Sequence, residues 1–237
     1  MRRWIFMLPL ATGCMAGFGE QRTDETEVEG DVLEISLVAT SGDVQVRVVP
    51  GRTVGTITRT VRWNGDAPCL KSSLEAGLLA LTDDCGSGVA CAVDYVITLP
   101  ASPDFVSVDT GSGDVGVDGL EGDVVVKTGS GDVTLAGIGG DVNVDTGSGD
   151  ILGHRLTSTA FLGDTGSGDV DLTFDVAPLQ VDVGTGSGDV TLAVPAGTYR
   201  VETSTGSGDV SLSGIEEGDG GTLHVETGSG DIVIDGR

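Results

Sequence analysis

From Asp114 onward, apolar and polar positions alternate in short runs separated by a fixed punctuation. Asp114-Val115-Gly116-Val117, Asp123-Val124-Val125-Val126-Lys127-Thr128, Asp132-Val133-Thr134-Leu135 and Asp141-Val142-Asn143-Val144-Asp145-Thr146 each place Val or Leu on one face and polar or small residues on the other. Alternation of period two predicts strands. The punctuation is Thr-Gly-Ser-Gly-Asp, seven times, starting at Thr110, Thr128, Thr146, Thr165, Thr185, Thr205 and Thr227. Its aspartates, Asp114, Asp132, Asp150, Asp169, Asp189, Asp209 and Asp231, are spaced by 18, 18, 19, 20, 20 and 22 residues. Gly122-Asp123-Val124 and Gly140-Asp141-Val142 halve the early period to nine, so each repeat holds two strands.

Strands this short, each with one apolar face, cannot bury that face alone, whereas stacked coils build a continuous ladder around a shared core. The fold expected is all-β: a right-handed parallel β-solenoid of 18–22 residues per coil with two main strands per coil, a three-sided section being the alternative. The turn chemistry agrees. Gly at two positions permits positive φ, and Ser and Asp side chains bond nearby backbone groups. Equivalent aspartates in successive coils would stack about 4.8 Å apart. Repulsion between such neighbours is about 0.9 kcal/mol in water and about 3.5 kcal/mol at an effective dielectric of 20. An amide hydrogen bond to a carboxylate contributes about 1.5 to 3 kcal/mol, which offsets the aqueous value only. The seven aspartates therefore read as structural turn residues. Calcium is the competing role, yet calcium-binding β-rolls use Gly-Gly-x-Gly-x-Asp, whereas here Asp follows Gly directly.

Upstream, Thr40-Ser41-Gly42-Asp43-Val44 is a worn copy of the turn between strands at Val32 to Val38 and Val44 to Val49. Longer strands without the motif follow from Thr53 to Trp63, Leu78 to Thr82 and Ala92 to Leu99, so residues 30–104 are expected to form a β cap over one end of a solenoid spanning 105–237. The other end finishes at Ile232 to Arg237 with no evident cover, an edge open to self-association.

Composition narrows the function. The 237 residues include 40 Gly and only nine aromatics, and the net charge is -25. A nucleic-acid or anionic-lipid surface is excluded, since phosphate binding rests on basic residues. Catalysis has little support: Lys127, Arg155 and Arg200 stand nearly alone in the repeats, and trim turns leave no long loops to wall a cleft. His154 lies where a strand ends, with no nucleophile motif beside it. His224 alternates with inward Leu223 and Val225 and should face solvent. Trp63 and Tyr95 read as core of the cap, and Glu216-Glu217-Gly218-Asp219 as a solvated acidic bulge. No metal or other cofactor is required.

Met1-Arg2-Arg3, the apolar run Trp4 to Ala11 and Thr12-Gly13-Cys14 follow the order of a secretory signal. Leu10-Ala11-Thr12-Gly13-Cys14 resembles the lipobox of bacterial lipoproteins, with Ala11 where that family prefers Leu. The resemblance implies a signal peptide over 1–13, lipidation at Cys14, a tether over 14–29, and anchoring in the cell envelope, at the outer membrane. Export permits disulfides. Cys85 and Cys91, flanking a short Gly-rich loop, are the first choice of pair; a bridge from Cys69 to either is the alternative.

The Thr-Gly-Ser-Gly-Asp-[Val/Ile] series, preceded by Val93-Asp94-Tyr95-Val96-Ile97-Thr98-Leu99-Pro100, resembles the bacterial putative-adhesin domain family of unknown function. That resemblance covers residues 30–237 and implies a β-solenoid at the cell envelope, with no catalytic residues to carry over. The function expected is a non-enzymatic lipoprotein presenting an acidic surface for adhesion or scaffolding, held to the membrane by its lipid and meeting an envelope protein or polysaccharide. A calcium-stabilised β-roll is the alternative, and a carbohydrate-active β-helix enzyme the more distant one.

Overall fold

The computed structural model describes residues 7–10, 19–85 and 90–237. Its regular elements are all β-strands, in one sheet of twelve and one of eleven. From Phe105 on, both sheets are parallel and in register. In the first, Val115, Val133, Ile151, Val170, Val190 and Ile232 align rung on rung, with Val210 beyond Ile232. In the second, Val106, Val124, Val142, Phe161, Val181, Leu223 and Val201 do the same. The inward positions between the ends are aliphatic and almost fully buried, as alternation requires. This is the expected solenoid, with two sheets per section.

One coil departs from aliphatic filling, and its glycines explain how. Phe161 is fully buried and meets Phe174 edge-on at 6.1 Å between ring centroids. A Cβ on Gly163 would sit 2.8 Å from the Phe161 ring, and one on Gly153 would sit 2.8 Å from Leu172. The missing side chain at Gly163 leaves room for the Phe161 ring, and that at Gly153 for Leu172 and Leu156.

The drift in repeat length is confined to half of each coil. The second-sheet half, through its strand to the Asp, takes nine residues in every coil: Asp123 to Asp132, Asp141 to Asp150, Ala160 to Asp169, Gln180 to Asp189, Arg200 to Asp209 and Thr222 to Asp231. The halves starting at Asp114, Asp132, Asp150, Asp169, Asp189 and Asp209 take 9, 9, 10, 11, 11 and 13. The first extra residue is a β-bulge between Gly153 and Leu156, where Arg155 adopts a φ of 55°.

The longest half-coil carries a change of stacking order. Strands Gly197–Thr205 and Val210–Ser213 do not lie against the preceding coil. The later strands Gly221–Thr227 and Ile232–Gly236 are inserted between them and strands Gln180–Thr185 and Val190–Val194. Residues 214–221 are the crossover, with Ile215–Glu217 pairing on the outer side of Gly197–Tyr199; Glu216 to Asp219, expected as a solvated acidic bulge, are exposed within it. The open edge is therefore not Ile232 to Arg237, which is flanked on both sides, but Val210–Ser213. Val210 and Leu212, at positions buried in every inner coil, are each 43% exposed.

The opposite end is covered. The worn motif forms a coil with strands Glu34–Ala39 and Val44–Val48, lying between the first full repeat and an outer coil made of Leu78–Asp84 and Cys91–Leu99. Antiparallel strands Cys69–Glu75, Gly55–Trp63 and Glu20–Val28 extend the two sheets beyond it, with Met7–Leu10 at the edge. Residues 20–28, expected as tether, are thus a nine-residue strand. Its inward residues are Asp24, Thr26 and Val28. Asp24 is the register partner of the buried Arg59 and Thr26 that of Ile57, and with two of the three inward residues polar the strand carries no apolar alternation.

Candidate functional site

The Thr-Gly-Ser-Gly-Asp corners stack into one column, joined through the backbone and through the Thr and Asp side chains. The amide of each Asp donates to Oδ1 of the Asp one rung back: Asp132 to Asp114, Asp150 to Asp132, Asp169 to Asp150, Asp189 to Asp169, Asp231 to Asp189 and Asp209 to Asp231, at 2.8 or 2.9 Å. From Thr128 on, the Thr hydroxyls donate to a glycine carbonyl of a neighbouring rung, as Thr165 does to Gly149 at 2.9 Å, whereas Thr110 donates to the Ser112 carbonyl of its own turn; all of these threonines but Thr205 are buried. The Ser carbonyls accept glycine amides, as Ser148 does from Gly131. The second Gly admits no other residue: Gly131 has a φ of +151° and a Cβ there would lie 2.1 Å from the Gly113 carbonyl oxygen.

The column runs further than the motif. Asp114 donates to Asp43, and Asp43 to Asp94 Oδ1 at 3.2 Å. Arg62 closes that end with a 2.5 Å contact to Asp94. All seven motif aspartates are exposed, so repulsion along the column takes its small aqueous value. Among the described residues no group of three or more His, Cys, Asp or Glu is placed to hold a metal ion.

The outer face of the second sheet is an acidic stripe. Asp145 and Asp164 are partners on adjacent strands, with Lys127 beyond Asp145, and Asp182 lies one strand on from Leu162. Partial burial, then the charges of Asp182 and Asp145, raise the Asp164 carboxyl above its ordinary range. His224 is less free than expected: it stands between Glu202 and Glu226, at 3.7 and 3.4 Å.

The outer face of the first sheet differs. There Gly116, Thr134 and Ala136 form the floor of an open groove of about 700 Å³. Val96 and Leu152, each about 40% exposed, flank the floor on the outer strands. Arg47 and Asp118 are register partners, and Asp118 pairs with Arg155 at 3.5 Å. His154 lies within strand Ile151–Leu156 and lines this groove, rather than marking a strand end. Sequence reading missed the site because Arg47, Asp118 and Arg155 are far apart in the chain. The one signal was the extra residue between Asp150 and Asp169.

Inside the cap lies a buried polar cluster. Arg59 is only 1% exposed and pairs in register with Asp24 on one side and Tyr95 on the other. Burial lowers its pKa, opposed by Tyr95 and Asp24. Tyr95 donates to Asp83 at 3.3 Å, and burial with the Asp83 charge pushes its phenol up. Asp83 also accepts the Thr40 amide at 2.9 Å. Nε of Arg59 has no hydrogen-bond partner among the described residues, and Tyr95 also contributes to the lining of the first-sheet groove.

Cys85 and Cys91 are disulfide-bonded, with Cα atoms 5.6 Å apart, and Cys69 is free and exposed. Cys14 and the signal-peptide cleavage point lie outside the described residues.

The profile of the Toastrack DUF4097 family matches residues 29–234. Among solved structures, a putative adhesin from Bacteroides fragilis aligns at 15% identity with a TM-score of 0.54, covering 91% of this chain and 96% of that one. A putative cell adhesion protein from Clostridium sporogenes aligns at 14% identity with a TM-score of 0.41, covering 92% of this chain and all of the other. The first of these shows a shared fold. No curated protein matches the chain.

Proposed function

The chain belongs to the Toastrack DUF4097 family, and from that premise we propose that it is a non-enzymatic, exported envelope protein whose rigid solenoid presents an acidic face to a partner. The observation that carries this reading is the stripe of Asp145, Asp164, Asp182, Glu202 and Glu226 on one face of an in-register sheet. Such a lattice holds its charges at fixed spacing, which favours electrostatic recognition of a complementary surface over catalysis. The adhesin names borne by its structural neighbours support the same reading.

Lipidation at Cys14 would place this face at the outer membrane, the solenoid standing off on the few residues before Glu20. Several buried acyl carbons, each worth about 0.8 kcal/mol, suffice for anchoring. An envelope protein with a basic face is the partner this charge pattern fits. A photo-crosslinker at Asp182 tests the reading in living cells: capture of a discrete envelope partner, lost in 0.5 M salt, is expected. Absence of any crosslink from this face, with crosslinks from other faces, would overturn it. Palmitate labelling of wild type beside Cys14→Ser tests the anchor, and equal labelling of both would remove it.

A further inference from the structure

We propose that the groove on the first sheet is a second binding site, for a neutral oligosaccharide; the inference rests on the binding role proposed above and names a ligand class at a different face. Three observations converge there. The β-bulge at Gly153 to Leu156 interrupts the parallel register there, and the non-glycine Arg155 is held at a φ of 55°. Bulges re-aim side chains, and strained backbone of this kind persists where surrounding structure fixes it. Here the bulged residue reaches Asp118, two strands away, across the small side chain of Ala136.

The chemistry of the lining selects the ligand. Asp118 only accepts hydrogen bonds, Arg155 only donates, and Gln45 and Thr134 do both. The Asp118–Arg155 pair is 50% and 60% exposed, so solvent screens it and a ligand can exchange into it at small cost. Neighbouring hydroxyls on a sugar ring each donate and accept, and an acceptor beside a fork of donors satisfies such a pair. Val96 and Leu152 offer exposed apolar surface to the C–H faces of the rings at either side of the floor.

Charge weighs against a polyanionic glycan, which meets a protein of net charge -25. The groove itself is mixed in sign: Asp43, Asp94, Asp114 and Asp118 line it beside Arg47, His154 and Arg155. The hydroxyls of a neutral polyhydroxyl chain donate to the one set and accept from the other, and several strands of the sheet, about 4.8 Å apart, give it an extended track.

Isothermal titration calorimetry of the full chain with neutral hexasaccharides of glucose, xylose and mannose tests the site, with polygalacturonate as the anionic comparison. At least one neutral hexasaccharide should bind, and Arg155→Gly, which suits the positive φ, and Asp118→Ala should each weaken it tenfold or more. Arg200→Gly, outside the groove, should leave binding unchanged. Circular dichroism melts establish that the variants are folded. Failure of every neutral saccharide to bind wild type, or equal binding by the groove variants, would overturn the site. Either result leaves the Asp182 crosslinking experiment free to stand or fall by itself.

Discussion

The backbone amide of Asp150 donates to Oδ1 of Asp132 at 2.9 Å, one rung to the next. The acidic column is therefore a hydrogen-bonded ladder built from exposed carboxylates. Asp132→Ala leaves the Asp150 amide without that acceptor and should cost about 1 to 3 kcal/mol in urea unfolding. Asp132→Asn keeps an oxygen acceptor and should cost markedly less. Asp209, whose carboxylate lies at the open end of the column, should tolerate Ala almost freely.

Calcium should leave the melting temperature unchanged. One oxygen of each column carboxylate from Asp114 to Asp189, and of Asp231, already accepts an amide. A structural cation would raise the midpoint by mass action. Scanning calorimetry in EDTA and in millimolar calcium decides, and a clear rise with calcium would reinstate the roll-type alternative.

Two leucines at equivalent positions should differ sharply. Leu172 is fully buried in an inner coil, whereas Leu212 on the edge strand is 43% exposed. Leu172→Ala should cost about 2 to 5 kcal/mol. Leu212→Ala should cost under about 1 kcal/mol in the same denaturation assay.

The Asp164 carboxyl is raised by burial and by Asp182 and Asp145. A raised acid binds its proton more tightly in the folded state than in the unfolded one. Its charged form therefore burdens the fold above that raised pKa, and the burden vanishes below the ordinary carboxylate value. Asp164→Asn should raise the melting temperature at pH 7 and change it little at pH 3. Equal gains at both pH values would show that charge is not the cause.

Cysteine reactivity should divide cleanly. Without reductant, an alkylating agent should modify Cys69 and spare Cys85 and Cys91. Opening that short loop by Cys85→Ser with Cys91→Ser should cost about 2 kcal/mol. Peptide mass mapping and thermal melts report the two effects.

The repeat half of the fold was legible because Val and Leu at alternate positions, with a constant corner, leave one way to bury the apolar face. The cap was legible only in part. Glu20–Val28 hides behind the inward Asp24 and Thr26, and the partner of Asp24 across the ladder, Arg59, lies 35 residues away in the chain. The spacings of 19 and 22 announced that two coils were irregular. They could not say that one extra residue was the Arg155 bulge, or that 214–221 was a crossover, because both depend on which strands pair. The groove was invisible for the same reason: its charged residues meet only when four coils are stacked.

The inserted coil makes assembly at that end order-dependent. Residues 197–213 leave the ribosome before 221–236, yet their partners across the ladder are those later strands. Until these arrive, the earlier segment must wait unpaired or dock directly on 180–194 and later be displaced. A charge placed at Val225, which is fully buried, should thus strip hydrogen-exchange protection from 197–213 as well as from its own strand, making this end of the molecule a single latch.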